Sequence, residues 1–355
     1  MKNIEKFRSV LDAEALDGLL LTSRVHRFYC VEHDIAEGIM LLTRENCLYF
    51  TDSRYIEDAE RHLQDAQPVL TTGEHPMEQL LKRAVQQEKL QVLGYEERAL
   101  TVKEFEQFEA LLQTQWKPCQ RRLEAFRAAK EPWELERMRK AQQITDQAFS
   151  ELLAVIQPGI TEKQLAAELI YRLYKFGGEM LSFDPIVVSG PNTSMPHGVP
   201  GDRMLQKGDF VTMDFGCKYQ GYCSDMTRTV ALGSVTEQMR EVYETVARAQ
   251  LAGIAATKAE KQGKEIDAAA RQVIADAGYG ACFGHGYGHS LGLEIHEAPN
   301  CNLAGTTPMP VHAVCSAEPG IYLPGQFGVR IEDVVVFEPD GCTVLANSPK
   351  ELLIL

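Results

Sequence analysis

Four carboxylates stand in or beside apolar, strand-like runs of the C-terminal part of the chain, and no fold can bury them uncompensated. Asp214 and Asp225 lie in FVTMDFGCKYQGYCSDMTRTV, Glu318 in SAEPGIY and Glu332 in GVRIEDVVV. A carboxylate in the middle of a buried strand costs several kcal/mol unless it is paired or metal-bound. His289, in FGHGYGHSLGLEIHEAP, adds an imidazole to the same region. Four carboxylates and one imidazole are enough to hold two divalent cations.

Each motif taken alone leaves alternatives open. VTMDFG and GYCSDMTRTVAL read as two strands of a hairpin, turning through CKYQ and Gly221. Its two Asp are read equally well as turn caps or as partners of Arg228. His285, His289 and His296 fall among glycines, which let backbone approach a site closely. Their spacing is not H-E-x-x-H, and the glycines do not open a nucleotide-binding helix. Three purely structural histidines would also satisfy that segment. Glu318 precedes Pro-Gly and so ends a strand. Arg330 and Glu332 share one face of a strand by the period of two, which a surface ion pair would also explain. In SGPNTSMPHGVPGD, His197 sits in a Pro-rich loop rigid enough to present an imidazole, or simply exposed to solvent.

Bulk properties narrow the class. The chain has 355 residues, 36 Lys and Arg against 50 Asp and Glu, and a formal net charge of −14. With no Lys/Arg run longer than a pair, this surface argues against nucleic acid and anionic membranes as partners. The nine cysteines include no CxxC pair, and a chain this long needs no disulfide framework. Cys217 and Cys223 flank the Asp hairpin and are read as spectators. The N-terminal segment is broken by Asp12, Glu14 and Asp17, so it is not read as a signal peptide. No run approaches the ~20 apolar residues that span a bilayer. A cytoplasmic location is expected.

The length suggests about two domains. Residues 1–124 alternate helical and strand-like patterns. Helices are predicted over 4–16, 54–63, 77–84 and 102–113, and strands over 18–21, 38–42, 47–50 and 91–94. His26, His33, His62 and His75 are scattered through this part without metal-ligand spacing. The second domain, 125–355, opens with a helix from Pro132, with Pro in its first turn. A helix capped by Thr161 follows, with Glu162 just downstream. Strands at 185–189 and 209–214, the hairpin, and helices over 237–258 and 263–277 complete the pattern.

Together the motifs resemble the pita-bread metallopeptidases: prolidase, aminopeptidase P and methionine aminopeptidase, with creatinase as a metal-free relative. MDFG, GYxSDxTRT, GHGxGHxxGLxIHE, AEPGIY and GVRIED stand in the family's order. The resemblance implies an α+β chain, with a small α/β creatinase-type N-terminal domain before a pita-bread catalytic domain. Methionine aminopeptidases lack that first domain, which points to the proline-directed branch. By the same resemblance, Asp214, Asp225, His289, Glu318 and Glu332 bind two divalent metal ions per subunit. Manganese is the first choice, with cobalt or zinc as alternatives. Asp225 and Glu332 would bridge the ions, and a metal-bridged hydroxide would attack the scissile carbonyl. Glu318, His197 and His296 take the catalytic roles. His197, His285, His296, Tyr322 and Arg330 contact or orient substrate.

The implied activity is hydrolysis between an N-terminal residue and proline in short peptides, by a homodimer. The alternatives are a relaxed or methionine-type aminopeptidase and a non-catalytic pita-bread binding protein. Many dipeptide-specific members carry Arg where this chain has Asn300, in HEAPN. The missing guanidinium weakens capture of a dipeptide's free carboxylate.

Overall fold

The computed structural model describes residues 2–355 and divides into two compact units, meeting at Phe126 and Arg127. In the first unit six strands form one sheet. Their order is Gln67–Thr71, Cys47–Asp52, Ile39–Thr43, Gly18–Leu21, Val92–Tyr95 and Gln115–Pro118. The Gly18–Leu21 strand pairs antiparallel with Ile39–Thr43 and parallel with Val92–Tyr95. It is apolar and buried throughout, as a strand covered on both faces must be. Leu20, Leu41, Phe50, Leu81 and Phe108 form much of this unit's core.

Sequence periodicity misses four elements here: the Arg24–Val31 helix, the two edge strands and the Gln120–Ala128 helix. The edge strands are short and carry Pro68 and Pro118, residues that only a sheet edge accommodates. The short helix is set by Ser23, whose hydroxyl accepts the His26 N–H at 3.2 Å, a local cap with little apolar periodicity behind it.

The second unit repeats one arrangement twice, a helix pair packed on an antiparallel sheet. The helices Pro132–Leu152 and Glu162–Lys175 cover a sheet of Ile186–Ser189, Phe210–Phe215 and Met226–Ala231. The helices Glu237–Ala256 and Gly263–Asp276 cover the second sheet. Its strands run in the order Glu297–Cys301, Gly288–Ser290, Val314–Ala317, Asp333–Glu338 and Gly341–Val344. The expected α+β class holds. Among the described residues no helix is long and apolar enough to cross a membrane.

Two local expectations change. Phe210–Phe215 and Met226–Ala231 do pair antiparallel, with Asp214 opposite Thr227, but the hairpin's far end bends into a separate small sheet with Met180–Leu181. Gly216 sits at the bend, where a Cβ would lie 2.0 Å from the Ser224 carbonyl oxygen. The strand drawn through Arg330 and Glu332 is also broken. Phe327–Arg330 ends one strand and Asp333–Glu338 begins the next, so the two side chains turn inward from a strand junction. Cys217 and Cys223 are buried and unpaired; burial pushes the Cys223 thiol up to about 11.

Arg228 does not pair with either hairpin Asp. Its guanidinium, 1% exposed, donates to Asp333 at 2.8 Å and to the carbonyls of Ser348 and Pro349. Asp333 also accepts from Lys350 and Gln250. Removing one member of such a buried pair strands the other charge. We expect Asp333→Ala to destabilise the second unit by ~3–5 kcal/mol. Urea unfolding followed by Trp133 fluorescence in a Trp116→Phe background checks this. An unchanged midpoint would show that the pair contributes nothing.

Candidate metal centre

The carboxylates reach one cavity because each lies at a strand end or junction. Asp214 is next to last in Phe210–Phe215, and Asp225 immediately precedes Met226–Ala231. His289 is central in Gly288–Ser290, Glu318 follows Val314–Ala317, and Glu332 precedes Asp333–Glu338. All five line a cavity of about 580 Å³ in the second unit, with His197, His285, His296 and Arg330. Tyr322, the remaining predicted site residue, is buried behind that wall.

Donor atoms converge tightly. Atoms of Asp225, His289 and Glu332 lie within 4.8 Å of one another. His289 Nε2 is 3.6 Å from Asp225 Oδ2 and 3.4 Å from Glu318 Oε1. These gaps are too long for hydrogen bonds to a ring N–H of ideal length and suit two ligands of one ion, each at ~2.0–2.2 Å. His289 Nδ1 lies 3.3 Å from the Ser290 carbonyl. That contact favours a proton on Nδ1 and leaves Nε2 able to bind an ion.

Polar partners orient the carboxylates and leave some oxygens unclaimed. Arg330 donates to Asp214 Oδ2 at 2.7 Å. Thr227 donates to Glu332 Oε2 at 2.7 Å and accepts from Arg330 Nε at 3.1 Å. Ser316 donates to Glu318 Oε1 at 2.9 Å and accepts the His289 backbone N–H at 2.9 Å. Among the described residues, Asp214 Oδ1, Asp225 Oδ1 and Glu332 Oε1 are buried with no hydrogen-bond partner. Orphaned buried oxygens on three neighbouring carboxylates are rare unless a ligand completes them. One guanidinium among four carboxylates leaves three negative charges uncompensated, and divalent cations match both the charge and the donor set.

Electrostatics agree. Burial, then the charges of Glu332, Asp214 and Glu318, push the Asp225 carboxyl well above its usual range. Burial, then Glu318 and Asp214, do the same to Glu332. Burial also raises Glu318, although His285 and Arg330 oppose it. Burial lowers His285, His289 and His296, keeping these imidazoles neutral and available.

The remaining predicted residues form two groups. His285 presents Nδ1 to the Gly286 carbonyl and Nε2 to the Tyr322 hydroxyl, both at 2.8 Å. Tyr322 in turn accepts from Arg330 at 2.8 Å, so a directed chain runs from Arg330 through Tyr322 to His285. Burial pushes the Tyr322 hydroxyl up to about 12, so it keeps its proton. His197 and His296 are exposed on loops at the cavity wall. The His296 ring lies 4.4 Å from that of His289, near-perpendicular to it.

Sequence reasoning missed Thr227 and Ser316. Each stands two residues from an identified carboxylate, Asp225 and Glu318, so the period of two was the available signal. It also missed Glu162, which does not simply serve its helix N-terminus. Gln164 completes the capping box with Thr161, while Glu162 is fully buried. It accepts from Ser189 N–H, the Asn192 amide and Gly201 N–H at 2.7, 3.0 and 3.0 Å, tying both ends of the His197 loop.

In the first unit, His33 and His62 stack at 4.5 Å and both face Asp58, at 2.9 and 2.8 Å. Those are hydrogen-bond lengths, shorter than the ligand separations in the second unit. A hydrogen-bonded His–Asp–His cluster explains them without an ion.

Comparison with known proteins places this geometry. Residues 136–339 match metallopeptidase family M24, and residues 3–129 match the creatinase/prolidase N-terminal domain. An uncharacterized peptidase of Bacillus subtilis, YqhT, is 36% identical over 99% of both chains. An Xaa-Pro dipeptidase of Pyrococcus furiosus is 40% identical over 64% of this chain and 66% of its own. Among solved structures, an Xaa-Pro dipeptidase from Bacillus anthracis superposes with a TM-score of 0.96 at 38% identity, covering 100% of this chain and 99% of its own. An X-Pro aminopeptidase from Thermotoga maritima superposes at 0.94 and 32% identity, covering all of both chains. With its carboxylate and histidine motifs converging in one cavity and both of its units matched, this chain belongs to metallopeptidase family M24.

Proposed function

We propose that this chain removes an N-terminal residue from peptides with proline in the second position, using two divalent cations. The observation that carries the hydrolytic reading is the set of three partnerless, buried carboxylate oxygens, on Asp214, Asp225 and Glu332, two of these residues clustering with His289. The proline preference rests on the named activities of its relatives. Manganese enters from the oxygen-rich donor set, a cytoplasmic location from the sequence expectation alone, and a homodimer from the motif resemblance alone.

Asp214, Asp225, His289, Glu318 and Glu332 would hold the ions. Divalent cations supply Lewis acidity and lower the pKa of water toward neutrality. The chain's own groups do the rest. Glu318 receives the proton from the attacking water and passes it to the leaving nitrogen. His296 and His197 donate hydrogen bonds to the carbonyl oxygen as charge develops, each worth roughly 3–4 kcal/mol when well placed. Arg330 and Thr227 hold Asp214 and Glu332 in register.

The rim favours peptides that extend beyond proline. Arg330, the one guanidinium on the cavity wall, is engaged by Asp214, Tyr322 and the Pro196 carbonyl. Asn300 is neutral and accepts the Ser290 N–H through Oδ1. The wall therefore offers no uncommitted guanidinium or ammonium to pair with a dipeptide's carboxylate.

Metal-reconstituted protein should release the first residue from Xaa-Pro-Xaa tripeptides faster than from Xaa-Pro dipeptides and Met-Ala peptides. No hydrolysis of any of them with manganese, cobalt or zinc would sink the reading. Asn300→Arg should improve kcat/KM for the dipeptide relative to the tripeptide by about tenfold, the worth of one charge-assisted pair.

Asp225→Asn removes one of the charges that would hold the ions, without changing shape. We expect a loss of about a thousandfold or more in kcat/KM, with the circular dichroism spectrum retained. Near-normal turnover would mean that Asp225 does not hold the ions.

The raised carboxyls also set a pH dependence. In the metal-free chain, Asp225, Glu318 and Glu332 bind protons more tightly folded than unfolded. Their contribution to stability is present below the ordinary carboxylate pKa of ~4 and is lost as pH rises through the raised folded values. Cations compete with those protons. The increase in thermal midpoint on adding manganese should therefore grow from about pH 5 to about pH 8. An increase that stays constant or shrinks would contradict carboxylate ligation.

A further inference from the structure

We propose that Glu297 is a positioning residue for His296, holding that imidazole at the cavity through a buried ionic lock with Arg127 and Lys130. The inference rests on the reading of His296 as a substrate-facing group.

Glu297 is the residue after His296, yet the two face opposite ways. His296 is exposed on the cavity wall, whereas the Glu297 side chain is 3% exposed. Its Oε1 accepts the backbone N–H groups of Leu293 and Glu294 at 3.0 and 3.2 Å. The segment from Leu293 to Glu297 is thereby wrapped around one carboxylate. Arg127 Nη1 lies 3.1 Å from Oε1, and Lys130 Nζ donates to Oε2 at 2.9 Å. Both cations are themselves almost fully buried, at 4% and 1%.

Two further contacts close the lock. Arg127 also donates to Glu294 Oε2 at 2.6 Å, holding the loop at a second point. Lys130 Nζ donates to the Arg127 carbonyl at 2.6 Å, fixing the two cations to each other. Gly292, where the loop begins, has no room for a side chain: a Cβ would lie 2.8 Å from Glu297 Oε2.

Buried ion pairs add little net stability compared with apolar packing, but they specify geometry. The geometry specified here is that of a five-residue loop with no regular hydrogen-bond ladder of its own. None of the three charged groups lines the cavity. Their effect on the reaction passes through the backbone they hold: the loop carries His296, and Glu297 stands opposite Ser290, next to His289, a second route that loss of bound metal would reveal. The His197 loop is tied separately, by Glu162.

The test is a pair of double-mutant cycles on the manganese-loaded full chain, using a tripeptide with proline second. Glu297→Gln should lower kcat by about ten- to a hundredfold, as small misplacements of a reacting group do, with KM little changed and bound metal retained. In a His296→Ala background the same substitution should cost less than about twofold. In a His197→Ala background it should cost its full factor. Glu297→Asp, which keeps the charge, should recover part of the loss.

Additive losses with His296→Ala, equal coupling to both histidines, or a wild-type kcat for Glu297→Gln would overturn the inference. A His296→Ala variant with normal kcat would instead overturn the reading of His296 on which it rests. Should Glu297→Gln fail to fold, the same cycles are read on Lys130→Gln, which leaves the carboxylate paired with Arg127, and the same outcomes decide.

Discussion

Four carboxylates crowd one cavity with a single guanidinium between them, and the surrounding fold is organised to keep them there. Arg330 holds Asp214 directly and Glu332 through Thr227. Without that guanidinium the cluster would carry another uncompensated charge in a poorly solvated place, where repulsion is strong. The strand ends, the Gly216 bend and the junction between Arg330 and Asp333 all bring charged side chains inward while leaving the strands' apolar faces packed against helices. The cluster is stable enough to form and unsatisfied enough to take up cations.

A second layer of buried charge surrounds the first and never reaches the cavity. Glu162 ties the His197 loop, and Glu297 ties the His296 loop. Arg228 and Asp333 join the hairpin strand to the strand that begins beside Glu332. Glu162, Glu297 and Asp333 have both carboxylate oxygens partnered, in contrast to Asp214, Asp225 and Glu332 at the cavity, each with one oxygen left over. Complete pairing goes with rigid support, and incomplete pairing marks the place where a ligand belongs.

Much of the site was legible in the linear sequence because its chemistry is local. Carboxylates interrupting apolar strands, glycines around the histidines, and Glu318 before Pro-Gly all carry their oddity within a few neighbours. The Pro132 and Thr161 helix starts were readable for the same reason. Thr227 and Ser316 were within reach of the period-two rule. The roles of Glu162 and Glu297 were not, since Glu162 reads as a helix-start residue and Glu297 as one letter of the histidine motif. Their importance lies in burial, which composition does not report. In the first unit, the edge strands escaped detection because they are short, each carries a proline, and pairing with a neighbour makes them strands.

The sequence by itself determined the kinds of atom the site contains, the order of the motifs and the elements that carry them. Those follow from short-range physics: propensity, capping, side-chain period and the cost of burying charge. The tertiary structure decided the partnerships. Arg330 meets Asp214 across 116 residues of chain, and Arg228 meets Asp333 across 105, although Arg228 lies only three residues from Asp225. Electrostatic attraction cannot choose between such partners in an extended chain, where every charge is hydrated. The choice is made only when packing of the two helix–sheet halves removes water and brings particular strand ends within hydrogen-bonding distance.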